Sequence, residues 1–361
     1  MKQPEIYPEL VQKFLESFRR SYSTKDVIKY LEKLKNLRVL IVGETILDEY
    51  YHVAVIGKPP KGTHIAVRYL GQEVHAGGVL ACANHLAGFC GEVDLLTIIG
   101  RNDDSENFVK TKLKSNIYPK FFYQNKAIIK RRFVDHAYSN KVFEVYENEE
   151  PHSDDTSESI SDWIEANFLE STKRYDLVLV LDYGHNLFSK DLIERICKLP
   201  CFLAVNAQTN TSNFGYNLIT KYPRANYFCL DEWELRLAYQ DRQGDIEPMI
   251  CTLGQRISLP GTVSVTRGHL GAISYDLKTG QLFQAPAFSQ KIVDTTGAGD
   301  AFLAITAPCV AKGFPTDLVV FIGNAVGALA VEYLGNRSSI EADALYQFIE
   351  TLLKQEDHNV L

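Results

Sequence analysis

The chain predicts an α/β protein with a mostly parallel central sheet, helices on both faces and a small β-rich lid. Three observations carry that expectation. Short β-branched runs at 38–42, 93–99, 176–181, 202–205 and 262–266 alternate with helix-patterned stretches near 78–89, 104–115, 156–170 and 189–197, the order that builds parallel strands joined by crossover helices. A length of 361 residues with 45% hydrophobic content suffices for one large core, given about 100 to 200 residues per domain. Two segments, 49–70 and 121–145, break the alternation; both are rich in Tyr, Val, Ile and Phe with interspersed charge, and they read as strands standing out from the main sheet.

Taken in order, residues 1–37 carry Leu10, Val11, Phe14, Leu15 and Phe18, then Val27, Ile28, Leu31 and Leu34, at helical spacing. They predict an N-terminal extension of two amphipathic helices, as packing or as a dimer surface, ahead of one large domain over 38–361. The first core strand runs into Val42-Gly43-Glu44-Thr45-Ile46-Leu47-Asp48. That places the Asp48 carboxylate at the strand's carboxyl end, where open α/β sheets bind ligands. It reads either as a turn aspartate or as an acceptor for two sugar hydroxyls. Gly77 and Gly78 precede a helix, as a tight turn or as a place where a ligand approaches the backbone. Inside the lid segment, Lys130 and Arg132 share one strand face and Arg131 takes the other. The shared face suits an anionic substituent such as a sugar phosphate, or a charged edge strand in water. The lid itself suits closure over a substrate, and equally a dimer contact.

Further along, Asp182, Tyr183, Gly184 and His185 end another predicted core strand. The acidic stretch 147–155 reads as a solvated loop. The apolar run 318–334 is 17 residues long and interrupted by Asn324 and Glu332; it falls short of the roughly 20 residues a membrane span needs and reads as a buried helix. A formal charge of −7 supplies no basic field for nucleic acid. Seven scattered cysteines without a CxxC pair read as reduced core thiols of a cytoplasmic protein, and no leader pattern opens the chain.

The most informative stretch is Asp294 to Phe302, DTTGAGDAF. After strand-like Lys291, Ile292 and Val293, the N–H groups of Gly297, Ala298 and Gly299 can converge on one point at the start of a helix expected over 299–312, a cradle for phosphate. Asp300 then stands in the first turn, as a helix-start carboxylate or as the base for a hydroxyl attacking that phosphate. Pro308 is expected to kink the helix beyond this turn.

This string resembles the C-terminal signature of the PfkB or ribokinase family of sugar and nucleoside kinases. AGGVLACANHLAGFCG resembles its N-terminal signature, and the likeness spans about residues 38–345. With GETILDEYY, AIIKRRFVD and FIGNAVGALAVEYLG, the chain most resembles the D-glycero-D-manno-heptose-7-phosphate kinase branch. The resemblance implies a ribokinase-like fold and an ATP-dependent transfer onto a sugar or sugar phosphate. In that reading Asp300 is the base, Gly297, Ala298 and Gly299 form the anion hole, and Asp294 belongs to a K⁺ loop. It further implies that Asp48, Gly77 and Gly78 bind the acceptor, that Thr266, Gly268 and Gly271 form the nucleotide turn, that Asn324 lies near the adenine unless it is a core amide, and that Glu232 organises Mg²⁺ through water.

The chain departs from the family pattern at Ala81, which replaces an Asn with Asn84 one turn later, at Cys229, which also replaces an Asn, and at His185, which replaces a Lys. Asn206 and Gln208 stand where an Asp and a Lys are expected. These neutral residues raise altered donor or metal use. They keep open a catalytically weakened sugar or nucleotide-binding protein partnering a nucleotidyltransferase, and, third, a nucleoside kinase, against which the basic lid argues. A homodimer is expected.

Overall fold

The structure, a computed structural model, describes residues 7–101, 104–138, 140–147, 160–168, 174–335 and 337–354. The acidic stretch predicted as a loop lies mostly outside them. Strand β1 (Arg38–Gly57) is the organising element. Its first half pairs in parallel with β3 (Glu92–Gly100) on one side and β7 (Leu177–Asp182) on the other. From Thr45 onward it leaves the core sheet and pairs antiparallel with β2 (Ala66–Gly78) and parallel with β5 (Ile128–Asp135), which in turn pairs with β6 (Lys141–Glu147). One strand therefore belongs to the core and to the lid. The burial pattern follows: residues 39–48 are buried without interruption, and alternation begins beyond them.

The core sheet continues from β3 to β4 (Ile117–Gln124) at one edge. At the other, β7 leads to β8 (Leu203–Ala207), β9 (Ala225–Asp231) and β10 (Ile257–Thr266), all parallel, then antiparallel β11 (Ala272–Asp276) and β12 (Gln281–Ala285). Two expectations change here. Residues 121–124 belong to the parallel core edge and the second lid segment starts at Ile128, because an apolar strand reads alike in either sheet. Residues 291–293 are a loop, with Ile292 and Val293 exposed and Val293 N–H held by Val331 O at 2.8 Å.

The helices described are α1 (Glu9–Arg19), α2 (Thr24–Glu32), α3 (Val79–Ala87), α4 (Ser105–Lys112), α5 (Ile160–Phe168), α6 (Lys190–Cys197), α7 (Glu232–Tyr239), α8 (Ile246–Gly254), α9 (Ala298–Ala311), α10 (Thr316–Ala330) and α11 (Ala342–Leu353). Helices α9 and α10 are apolar nearly all round and correspondingly buried. Helix α9 continues through Pro308 to Ala311. Helix α1 buries Val11, Leu15 and Phe18, with Phe18 stacked on Phe321 of α10 at 4.0 Å between ring centroids. Each such side chain contributes about 1.5–3 kcal/mol of burial. A capping box between Ser23 and Asp26 starts α2, and Arg19 donates to Leu352 O at 2.8 Å. The N-terminal helices thus pack on the same core as the sheet. The seven cysteines are free, and no described helix is long and apolar enough to cross a membrane.

Candidate active site

The point where β1 leaves the core sheet, the carboxyl ends of β7, β8, β9 and β10 and the start of α9 converge on a cavity of about 250 Å³, roofed by the lid residues Lys130 and Arg132; Asp48 therefore lies within β1, which runs on to Gly57, and not at the strand's carboxyl end as expected. Asp300 stands at its floor in the first turn of α9 and is only 8% exposed. Burial pushes its carboxyl up to about 6, against the opposing pull of its hydrogen bonds. Tyr183 Oη donates to Oδ1 at 3.2 Å and Gln208 Nε2 donates to the same oxygen at 2.9 Å. Among the described residues no donor reaches Oδ2, which leaves that oxygen for a ligand in the cleft.

The glycine loop leading into α9 differs in one point from the expected cradle. Gly297 takes φ 83°, the left-handed turn that starts the helix, and Gly297 and Gly299 line the cavity. The Ala298 N–H instead donates to Thr295 O at 3.3 Å within the loop, because the turn folds it back. The glycines that flank Ala298 are the part of the loop that lines the cavity.

On the acceptor side, Asp48 is 3% exposed and forms a buried ion pair with Arg132, whose Nε also meets Glu144 at 3.2 Å. Gly77 makes room for this carboxylate: a Cβ there would fall 2.1 Å from Asp48 Oδ2. Gly78 lines the cleft itself. The alternation predicted for the basic trio is the one found, with Arg131 on the opposite face bonded to Glu49 at 2.7 Å and to Glu147. The consequence differs from the expected clamp. Arg132 is occupied by two carboxylates, so among the described residues lining the cleft Lys130 is the remaining cation, its ammonium 5.6 Å from the Tyr146 ring and its pKa lowered by burial. Beside it, the His185 ring has both nitrogens buried without a partner, and burial with Lys130 nearby takes it down to about 4. Asn84 is not at the site; it bonds Lys112 O and Lys114 N–H at the end of α4.

On the donor side the cavity is lined by Thr266, Asn206, Thr209, Asp231 and Glu234. Glu232 is not among them. It sits between Arg236 at 2.8 Å and Arg267 at 2.7 Å, while Glu234, two residues on and rotated about the helix, faces the cleft. Glu234 accepts Thr209 N–H at 3.1 Å, and burial and then Asp231 raise its pKa. Gly268 and Gly271 shape the hairpin between β10 and β11, at φ 56° and 88°, behind Thr266 and off the lining. Asn324 is a core amide of α10, donating to Val320 O at 2.9 Å. Asp294 accepts from Thr296 N–H and Oγ1 at 3.1 and 2.9 Å and from Gly335 N–H at 3.1 Å.

For Mg²⁺, Asn206 supplies a buried Oδ1 without a partner, its Nδ2 bonded to Cys229 O at 2.8 Å, next to the Asp231 and Glu234 carboxylates. Among the described residues there is no group of three or more His, Cys, Asp or Glu that could hold a metal ion. The oxygen set fits an ion that keeps most of its waters and leans on substrate phosphates.

Residues at the site without a functional assignment in the sequence include Tyr183, Thr209, Asp231 and Glu234, together with Gln208 and Glu44. Gln208 had registered only as a lost charge, and it turns out to hold Asp300. Glu44 is fully buried and accepts the Tyr183 and His185 N–H groups at 3.0 and 3.1 Å, with burial and then Asp182 raising it to about 8. It braces the turn that carries Tyr183.

Residues 37–343 match the pfkB family carbohydrate kinase domain. The chain belongs to the pfkB family of carbohydrate kinases. Within it, 334 residues are 23% identical to the bifunctional protein HldE of Syntrophotalea carbinolica, covering 89% of this chain and 65% of that protein. The chain thus lies close to the HldE branch and spans just under two thirds of that relative's length. Among solved structures, phosphofructokinase-2 of Escherichia coli in complex with potassium superposes with a TM-score of 0.68 at 14% identity, covering 88% of this chain and 100% of that one. Ribokinase of Arabidopsis thaliana complexed with ribose and ATP gives 0.63 at 13% identity, covering 87% and 99%. These neighbours share the ribokinase-like fold.

Proposed function

We propose that the protein is an ATP-dependent phosphotransferase acting on a hydroxyl of a sugar or sugar phosphate, heptose-phosphate-like in character, with Asp300 as the base. The observation that carries this reading is the Asp300 carboxylate at the start of α9, one oxygen held by Tyr183 and Gln208 and the other left to the cleft. Asp48 orients the acceptor. As its hydroxyl oxygen bonds to the γ-phosphorus and the bond to the β–γ bridging oxygen breaks, Asp300 takes the proton and ADP leaves. The Gly297 and Gly299 amides and the α9 dipole hold the charge on the moving group. Asn206, Asp231 and Glu234 would hold Mg²⁺, which supplies charge neutralisation for the donor phosphates. The lid strands exclude water that would otherwise compete with the acceptor.

Lys130 beside His185 supports an acceptor that already bears an anionic group, and weighs against a nucleoside, which carries none. Incubation with ATP, Mg²⁺ and a panel of sugars and sugar phosphates, followed by ADP, tests the reading. ADP release that depends on one acceptor supports it, and its absence across the panel with tight nucleotide binding favours the second reading. That second reading is a sugar or nucleotide-binding protein serving a nucleotidyltransferase, favoured by the neutral Asn206 and Gln208. A homodimer through the outer lid face belongs to the proposal: Tyr69, Tyr51, Phe133 and Phe143 form a row of rings across it, with Tyr69 and Phe143 exposed.

A further inference from the structure

Lys141 opens β6 of the lid, yet its ammonium reaches the loop before α9. Nζ donates to Thr296 Oγ1 at 2.7 Å and stands 3.5 Å from Asp294 Oδ1. The Thr296 hydroxyl passes its own proton on to Asp294 at 2.9 Å. Thr296 is the residue before Gly297, so this chain of contacts ends at the cradle. The family resemblance calls for a monovalent metal cation at Asp294, and a fold neighbour is a complex with potassium. The residues present here do not fit one. An ionised carboxylate offers about four lone-pair sites. The two on Asp294 Oδ1 already face three donors, Thr296 N–H, Thr296 Oγ1 and the Lys141 ammonium, and one of the two on Oδ2 faces Gly335 N–H. The neighbouring carbonyl of Val331 is likewise taken, by the N–H groups of Val293 and Asp294 at 2.8 and 3.3 Å. One of the four donors on the carboxylate is already a cation.

We propose that Lys141 is a tethered monovalent cation for the anion-hole loop, a positioning residue that stands in for K⁺ and couples the loop's order to the lid. One further feature agrees with this. The Lys141 side chain is 35% exposed, so its removal opens a path for an ion from solvent.

The proposal rests on the phosphotransfer reading only for its kinetic arm. Thermal unfolding and turnover are measured for the wild type and for Lys141→Met, which keeps the apolar stem, in potassium, ammonium and tetramethylammonium chloride at one ionic strength. The wild type is expected to show the same Tm and turnover in all three. Lys141→Met is expected to lose about tenfold in turnover, less than the roughly 10²–10³ of a direct donor to the moving group. Potassium and ammonium should then raise its Tm, by on the order of 1–2 °C, and recover part of its turnover, while tetramethylammonium does neither. A wild type stabilised by potassium over tetramethylammonium, or a variant whose Tm is blind to potassium and ammonium, overturns the proposal. If the wild type forms no ADP with any acceptor, the phosphotransfer reading fails while the unfolding measurements still decide Lys141.

Discussion

The two sides of the cleft are built on opposite principles. The acceptor side is charged and cross-linked: Asp48 to Arg132, Arg132 to Glu144, with Lys130 alongside. The donor side nearest the base presents neutral groups, the amides of Asn206 and Gln208 and the hydroxyl of Thr266, with the carboxylates Asp231 and Glu234 tied into the start of α7. Charge on the acceptor side can select one substrate from many. In the proposed reading, a donor side whose described lining residues include no cation leaves the compensation of nucleotide charge to the metal and the helix dipole.

The strongest way to break this contrast is to remove a charge from the acceptor side. Arg132→Met takes its ion-pair partner from the buried Asp48 carboxylate beneath the lid. Breaking such a pair costs about 3–5 kcal/mol, readable as a lower midpoint in urea, and adding Asp48→Asn is expected to recover most of it. An unchanged midpoint for Arg132→Met would mean that the pair is solvated and that the two sides differ less than their composition implies.

Asp300→Asn sits where the sides meet. Turnover is expected to fall by about 10²-fold or more. Stability moves the other way with pH. The ordinary value for Asp is 3.8 and the folded value is raised to about 6, so this carboxyl stabilises the fold below pH 4 and that contribution is lost as pH climbs through 6. Relative to the wild type, Asp300→Asn should therefore gain stability between pH 4 and pH 7, by up to about 3 kcal/mol for a shift of this size. Paired unfolding curves at the two pH values read the gain, and a stability difference between variant and wild type that is the same at pH 4 and pH 7 would contradict the assigned cause.

How much of this was legible beforehand follows from the range of the interactions. The strand and helix order, the face shared by Lys130 and Arg132, and the Asp300 turn are local patterns, and local patterns survive in one sequence. The error at Glu232 is one of phase. Two acids two residues apart face about 200° apart on a helix, so choosing between Glu232 and Glu234 requires knowing that β9 ends at Asp231. The lid boundary failed because an apolar strand carries no mark of the sheet it will join. The grip of Gln208 on Asp300 joins residues 92 positions apart, and no periodicity carries that.

Lys130 tests the charged side more gently than Arg132 does. Lys130→Met should raise KM for a phosphorylated acceptor by about 10- to 100-fold, the worth of one charge-assisted hydrogen bond, with kcat little changed and the unphosphorylated sugar unaffected. Equal losses on both acceptors would place the ammonium on the transferring phosphoryl group instead.

The smallest effect is expected from making the donor side resemble the acceptor side. Gln208 lies 2.9 Å from Asp300 Oδ1, so Gln208→Lys would put an ammonium against the base. A cation at that distance favours the ionised carboxylate, so the acid limb of the turnover profile, expected near 6 in the wild type, should move down by about one unit. A base made weaker by the same charge should then abstract a proton less readily at neutral pH, and the plateau should fall even as the working range widens. A limb that stays in place while the plateau drops would mean that the amide sets the orientation of Asp300 and leaves its proton affinity to burial alone.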